Sequence, residues 1–380
     1  MSSTQKKLFH RIKSLPLKEV LVPFFLSRLF VLSALVVAHE VVIKTAATNP
    51  KTLALYHERI FGWDAGYYIQ IATSGYGSHL NSSIRFFPLF PLVGKIFSLI
   101  SFIPTKYSLL IISNVATLAA GFVIYEIAAT KFSKKVASLG VWICLFAPAS
   151  YALVAGYSDS LLILLESVVI LAATKRRTAI VLAAGFLAGL DRPTGVVLSI
   201  FIFFEYLTYF HRQKVPILKS IFRALLPSIG PGLGTVTFLS YALYRYHDFF
   251  APLSTQLGTN HRGSFTDPFV NAVDSVKEVF TGHIGSFMHL PWVVVAIFIL
   301  MLGIKKVPFN WSLYAGVSLI LILISKNLDG FERYLGDIVP LLVVGAYETD
   351  KVKQEKIVVM LLAVTMMTYS VLALLGVYTP

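Results

Sequence analysis

Apolar runs of about twenty residues recur through the whole chain, and short loops in which lysine and arginine gather separate them. A run of that length crosses a bilayer core of ~30 Å as a helix, where every backbone polar group must be satisfied internally. So many runs in 380 residues leave no room for a separate soluble domain. The expected fold is therefore all-α and polytopic, a single integral membrane domain over residues 1–380. The first run, about Val20 to Ile43, follows Lys6, Lys7, Arg11, Lys13 and Lys18. It is too long for a signal-peptide core and reads as a retained anchor behind a basic tail, 1–18.

Further spans are expected near 107–130, 136–152, 157–174, 178–191, 194–210, 222–245, 289–304, 308–325, 336–347 and 357–378, about eleven in all. If the basic tail lies in the cytoplasm, five more clusters fall on the same side: Lys131, Lys134 and Lys135; Lys175, Arg176 and Arg177; Arg212, Lys214 and Lys219; Lys305 and Lys306; and Lys351, Lys353 and Lys356. That is nineteen of the thirty-three basic residues, so the net charge of +14 reads as topology rather than as a nucleic-acid face. The scheme requires that 86–103 not cross, and Pro88 and Pro91 fit a helix lying along the outer interface. The outer face then holds a long first loop, 44–106, the turn Gly156–Asp159, the break Asp191–Gly195, a second long loop, 246–288, and Lys326–Gly336. No internal repeat stands out. Cys144, the one cysteine, sits in an apolar run and reads as a core residue, which excludes a disulfide framework.

The stretch from Phe61 to Leu92 interrupts this apolar pattern with polar, aromatic and turn-forming residues. Asp64 stands between Trp63 and Ala65-Gly66, followed by Tyr67, Tyr68, Gly75-Tyr76, Arg85 and Phe86-Phe87-Pro88-Leu89-Phe90-Pro91. Aromatic faces suit sugar rings, and a carboxylate among them can take a proton from a hydroxyl. Asp64 also reads as the N-cap of a helix over 65–72. Arg85, Arg192 and Arg333 are candidates for a phosphate, because the guanidinium fork matches phosphate oxygens. The plainer reading of Arg85 is a loop charge beside the interfacial helix, and that of Arg192 a pair with the adjacent Asp191. Asp159 is a candidate for binding acceptor hydroxyls and equally the cap of the helix that follows. Glu166 stands mid-span with no assigned role, and Asn81-Ser82-Ser83 is a glycosylation tripeptide. No two of His57, His79, His261, His283 and His289 stand at metal-ligand spacing, and neither a phosphate-cradling glycine loop nor a spaced acidic pair occurs. No metal is expected.

Trp63-Asp64, Tyr68-x-x-Ile71-Ala72-x-x-Gly75-Tyr76 and Phe86-Phe87-Pro88-Leu89-Phe90-Pro91 together resemble the PIG-V-like mannosyltransferases, membrane enzymes of the GT-C glycosyltransferase class. The resemblance implies a GT-C-type helical bundle whose catalytic aspartate is Asp64 and whose basic residue in a broken helix is Arg192. Arg333-Tyr334 and Tyr157-x-Asp159 correspond to further family elements. His247-Asp248, before Phe249-Phe250-Ala251-Pro252 and Gln256, corresponds loosely to elements of the acceptor site. Eukaryotic members carry Asp-Gly-Glu-His-Phe where this chain has Asp64-Ala65-Gly66-Tyr67-Tyr68.

The expected activity is an inverting transfer of mannose or another hexose from a polyprenyl phosphate to a hydroxyl of a lipid-linked or surface glycan. Asp64 is the general base; Arg192, Arg333 and Arg85 bind the donor phosphate; Trp63, Tyr67, Tyr68, Asp159, His247 and Asp248 line the sugar and acceptor side. One carboxylate suffices, since the leaving group is already a phosphate and needs charge stabilisation rather than an acid. The expected partners are membrane lipids, the lipid-phosphate sugar and a glycan acceptor, with no cofactor and no nucleic acid. A prokaryotic plasma membrane, with the site on its non-cytoplasmic face, fits the short loops better than an endoplasmic reticulum. The competing readings are a lipid or sugar transporter or flippase, and a non-catalytic glycan-binding subunit.

Overall fold

A computed structural model describes residues 16–46, 59–77, 79–258, 263–281 and 284–378. Lys6, Lys7, Arg11, Lys13, His57, His261 and His283 lie outside the described residues. Within them the protein is all-helical, with one isolated antiparallel bridge, Phe265 to Ser325, and no strand.

The chain opens with α1 (Leu17–Ala46), α2 (Asp64–Ser74) and α3 (Leu89–Ser101). The hairpin α4 (Thr105–Lys131) and α5 (Lys134–Phe146) follows, then α6 (Asp159–Thr174), α7 (Thr178–Asp191), α8 (Leu198–Arg212) and α9 (Ile217–Tyr246). Short α10 (Ala251–Gln256) and amphipathic α11 (Pro268–Phe280) lead to α12 (Ile284–Gly303) and α13 (Phe309–Leu323). The chain closes through α14 (Phe331–Gly336), α15 (Val339–Lys351) and α16 (Glu355–Leu375). Five segments are long and apolar enough to cross a membrane: 17–44, 105–131, 193–212, 286–303 and 355–375. The chain is a multi-pass integral membrane protein.

The other expected spans differ from that scheme in length. Helices α5, α6, α7, α13 and α15 have 13 to 16 residues, about 20–24 Å of rise. The expected span 136–152 ends early because Pro148 cannot continue the α-helix, and a 3₁₀ turn over Ser150–Leu153 takes over. Likewise 194–210 begins as a 3₁₀ turn, Pro193–Val197, before α8. Helix α3, read from sequence as interfacial, has 13 residues. It buries Leu89, Phe90, Pro91 and Gly94 and exposes Leu92, Ile96, Leu99 and Ile100 on one face.

Ion pairs tie the basic loops together at one end of the bundle. Lys135 at the start of α5 meets Asp350 at 2.7 Å and also Glu355, joining the α15–α16 turn. Lys175 reaches Glu126 at 2.7 Å and Arg176 reaches Glu205 at 2.8 Å, while Asn310 donates to the same Glu205 at 2.9 Å. The short helices α6, α7 and α15 all run between this end and the cluster described next.

The tightest helix contact is between α7 and α9. A methyl group on Gly189 would stand 1.9 Å from the Pro231 carbonyl oxygen, and one on Gly234 would stand 1.9 Å from that of Phe186. Small residues at these positions let the two backbones touch, as in membrane helix pairs generally.

Candidate functional site

The site forms where regular helix stops. Between α5 and α6 the backbone of residues 147–158 leaves the α-helix, and its buried carbonyl groups need donors. Polar residues in the middle of α4 supply them. Thr117 Oγ1 donates to Leu153 O at 3.0 Å, Asn114 Nδ2 to Val154 O at 3.0 Å and Ser113 Oγ to Ala155 O at 2.7 Å. Arg28 of α1 adds a bond to Leu153 O at 3.2 Å. The turn so held delivers Tyr157, Ser158 and Asp159 to the core.

There a lattice of alternating charges brings four helices together. Arg192 Nη1 donates to Asp159 Oδ1 at 2.7 Å and to Asp337 Oδ2 at 2.9 Å. Arg333 pairs through Nη2 with Asp64 Oδ2 at 2.8 Å and through Nε with Asp159 Oδ1 at 3.2 Å. Tyr334 lies under both guanidiniums, 4.8 Å from Arg192 and 5.0 Å from Arg333. Arg192, Arg333, Asp159 and Asp337 are all buried, whereas the Asp64 side chain is 24% exposed and stands at the mouth.

Asp64 is the first residue of α2, and its carboxylate goes to Arg333 rather than capping the helix. The cap position belongs to Trp63, a bulky residue at φ 53° and ψ −132°, outside the usual regions for an L-residue. Holding it there costs on the order of 1–3 kcal/mol, and such strain gathers at functional sites. The Trp63 indole N–H, donating to Ala373 O at 3.1 Å in the last turns of α16, is part of what holds it. Asp159 is likewise the first residue of α6, with its carboxylate committed to two arginines. Arg192 does not pair with its neighbour Asp191 through a hydrogen bond, since the extended backbone at 192 turns its side chain toward Asp159 and Asp337.

The aromatic residues of 61–92 form one wall. Tyr68 is buried, its hydroxyl 2.6 Å from Ser158 Oγ, and its ring meets Phe86 and Phe90 edge-on. Tyr67 stacks on Phe86 at 4.7 Å. Arg85 lies over that pair, 4.6 Å from Phe86 and 5.2 Å from Tyr67, so it joins the aromatic wall and not the charge lattice. His247 and Asp248 stand apart from the lattice too. His247 ends α9 in the left-handed conformation, and exposed Asp248 closes a local turn by accepting from Phe250 N at 2.9 Å. Asn81 braces the loop, with Oδ1 accepting from Ser83 N at 2.8 Å and Nδ2 donating to Tyr76 O at 3.1 Å.

Sequence reasoning did not assign two members of the cluster. Asp337 follows Arg333 by four residues, a one-turn spacing that could have drawn attention to it. Asp191 is fully buried at the end of α7, and neither carboxylate oxygen has a hydrogen-bond partner among the described residues. Its position in the Asp-Arg-Pro break was the available signal. Glu166, left without a role above, accepts the Val339 N–H at 2.9 Å, so one helix caps the start of another. Behind Arg333, His289 Nδ1 lies 2.7 Å from Glu332 Oε2, which anchors α14 against α12.

No family model matches the sequence, and no curated protein matches it either. Solved structures similar to this chain include the Archaeoglobus fulgidus oligosaccharyltransferase in complex with zinc and sulfate, at 14% identity and a TM-score of 0.44, covering 91% of this chain and 53% of that one. The same enzyme tethered to an acceptor peptide containing the NVT sequon gives 14% identity and 0.43, covering 92% and 55%. The archaeal oligosaccharyltransferase AglB from that organism, in complex with an inhibitory peptide and a dolichol-phosphate, gives 12% identity and 0.43, covering 92% and 56%. The chain spans about half the length of these structures.

Proposed function

We propose that the chain is an inverting GT-C-type glycosyltransferase of the PIG-V-like kind, which moves a hexose, mannose by resemblance, from a polyprenyl phosphate to a hydroxyl of a lipid-linked or surface glycan. The observation that carries this reading is the setting of Asp64: it is the most open carboxylate of a buried charge lattice, it follows a strained tryptophan, and Arg333 orients it.

The chemistry balances on these residues. Asp64 takes the proton of the acceptor hydroxyl as that oxygen bonds to the anomeric carbon. The bond from that carbon to the phosphate oxygen breaks with its electron pair, and polyprenyl phosphate leaves with inversion at the sugar. Protonation removes the charge that Asp64 presents to Arg333, and the guanidinium then turns its attraction to the charge growing on the phosphate. Arg192, committed to two carboxylates, acts as the fixed post that positions Asp159 and Asp337. Asp191 offers sugar hydroxyls an acceptor inside the cluster. On the topology read from sequence, all this lies on the non-cytoplasmic side.

The test is transfer of radiolabelled mannose from polyprenyl-phosphate-mannose to a membrane glycolipid extract by purified protein, wild type against Asp64→Asn at matched amounts. Loss of the base is expected to lower turnover by about 10²–10⁴-fold. Equal transfer by the variant would remove Asp64 as base. No transfer by either protein, repeated with other lipid-linked sugars, would favour a transporter.

A further inference from the structure

The end of the bundle opposite Asp64 carries a second site. A groove of about 850 Å³ lies between the start of α7, the end of α8 and the first turns of α9. That volume is within the ~300–1,000 Å³ of small-molecule sites. Tyr206, Phe210, Phe222 and Leu226 make its walls apolar, and Lys219 and Arg223 line it as well. Those two cations are four residues apart on α9 and so share a face. The Arg223 guanidinium lies 5.7 Å from the Phe210 ring.

The charge here is unbalanced. Helix α9 contains no acidic residue, and Glu205, the sole acidic residue of α8, is held by Arg176 at 2.8 Å. No other described residue forms an ion pair with Lys219 or Arg223, and Arg212 and Lys214 stand in the adjoining turn. The apolar surface does not stop at the groove. Phe222 and Leu226 are 66% and 59% exposed, and Leu225, Ile229, Leu233 and Val236 continue the outward face along α9 toward the bilayer interior. A ligand matching these features has a negative head and a hydrocarbon chain that runs on into the membrane.

We propose that this groove binds one anionic glycerophospholipid, its phosphate at Lys219 and Arg223 and an acyl chain along Phe210, Phe222 and Leu226. The site is about 35 Å along α9 from Tyr246, which touches the loop bearing Tyr76, so it is separate from the donor site. The proposal stands whether or not the chain is a glycosyltransferase.

Native mass spectrometry of the full-length protein, titrated with phosphatidylglycerol or phosphatidylcholine in detergent, tests it. The wild type is expected to hold one phosphatidylglycerol in preference to phosphatidylcholine. Lys219→Gln combined with Arg223→Gln should bind it about thirtyfold more weakly, from about one kcal/mol per surface cation. Raising salt should weaken the wild-type complex in the same direction, which keeps the test independent of whether the variant folds. Equal retention of the two lipids, salt-insensitive binding, or unchanged affinity in the double variant would each overturn the proposal, as would binding of inorganic phosphate with the same affinity as the lipid.

Discussion

Replacing Arg192 with methionine isolates what the charge lattice contributes to the fold. Arg192 is buried and holds Asp159 and Asp337 at 2.7 and 2.9 Å. Asp159 keeps Arg333 at 3.2 Å, whereas Asp337 has no other ion pair among the described residues. Removing one partner of a buried pair leaves an uncompensated charge and costs about 3–5 kcal/mol. An unfolding entropy of ~2.1 cal/mol/K per residue over 380 residues converts that into a midpoint fall of about 4–6 °C. Thermal unfolding in one detergent at one protein concentration measures it, and Arg192→Met with Asp337→Asn should recover most of the loss. Asp64→Asn is the contrast: its side chain is 24% exposed and Arg333 keeps its pair with Asp159, so its stability cost should be smaller while, on the function proposed above, transfer should collapse. An unchanged midpoint in Arg192→Met would refute the claim that Arg192 is a structural post.

Gly189→Ala should cost about 1–3 kcal/mol and lower transfer, because its methyl would meet the Pro231 carbonyl and push α7, with Asp191 and Arg192, off α9. Gly232→Ala, with nothing within 4 Å, is the control and should shift the midpoint little. Glu166→Ala should cost about 1–3 kcal/mol by stranding the buried Val339 N–H, with transfer per folded molecule retained.

The membrane class and the gathering of basic loops were legible in the chain because both depend on local composition, apolar runs and lysine clusters. Asp64, Asp159, Arg192 and Arg333 were legible as unusual residues, but not as partners. Asp64 and Arg333 are 269 positions apart, and spacing carries no information about contacts across a bundle. The same limit hid the role of Glu166, whose partner Val339 is 173 residues away. His247 and Asp248 were drawn in by a loose local pattern, while the fold uses them to end a helix and close a turn. The span 136–152 was overestimated because its apolar stretch continues past the break at Pro148, and hydropathy does not register where a helix ends.

The turn bearing Asp159 hangs from Ser113, Asn114 and Thr117, eight to twelve residues inside α4 from Thr105. At 1.5 Å per residue, those bonds hold the turn about 12–18 Å along α4 from its first residue, so the buried part of the charge lattice is recessed from that helix end. A free sugar or a nucleotide sugar would have to abandon its hydration to descend that far. A sugar carried on a hydrocarbon tail is already dissolved at the right level and need only drift sideways. On the function proposed above, solubility itself would sort the substrates before any side chain touched them, and a more polar donor would be turned away by the membrane rather than by the pocket.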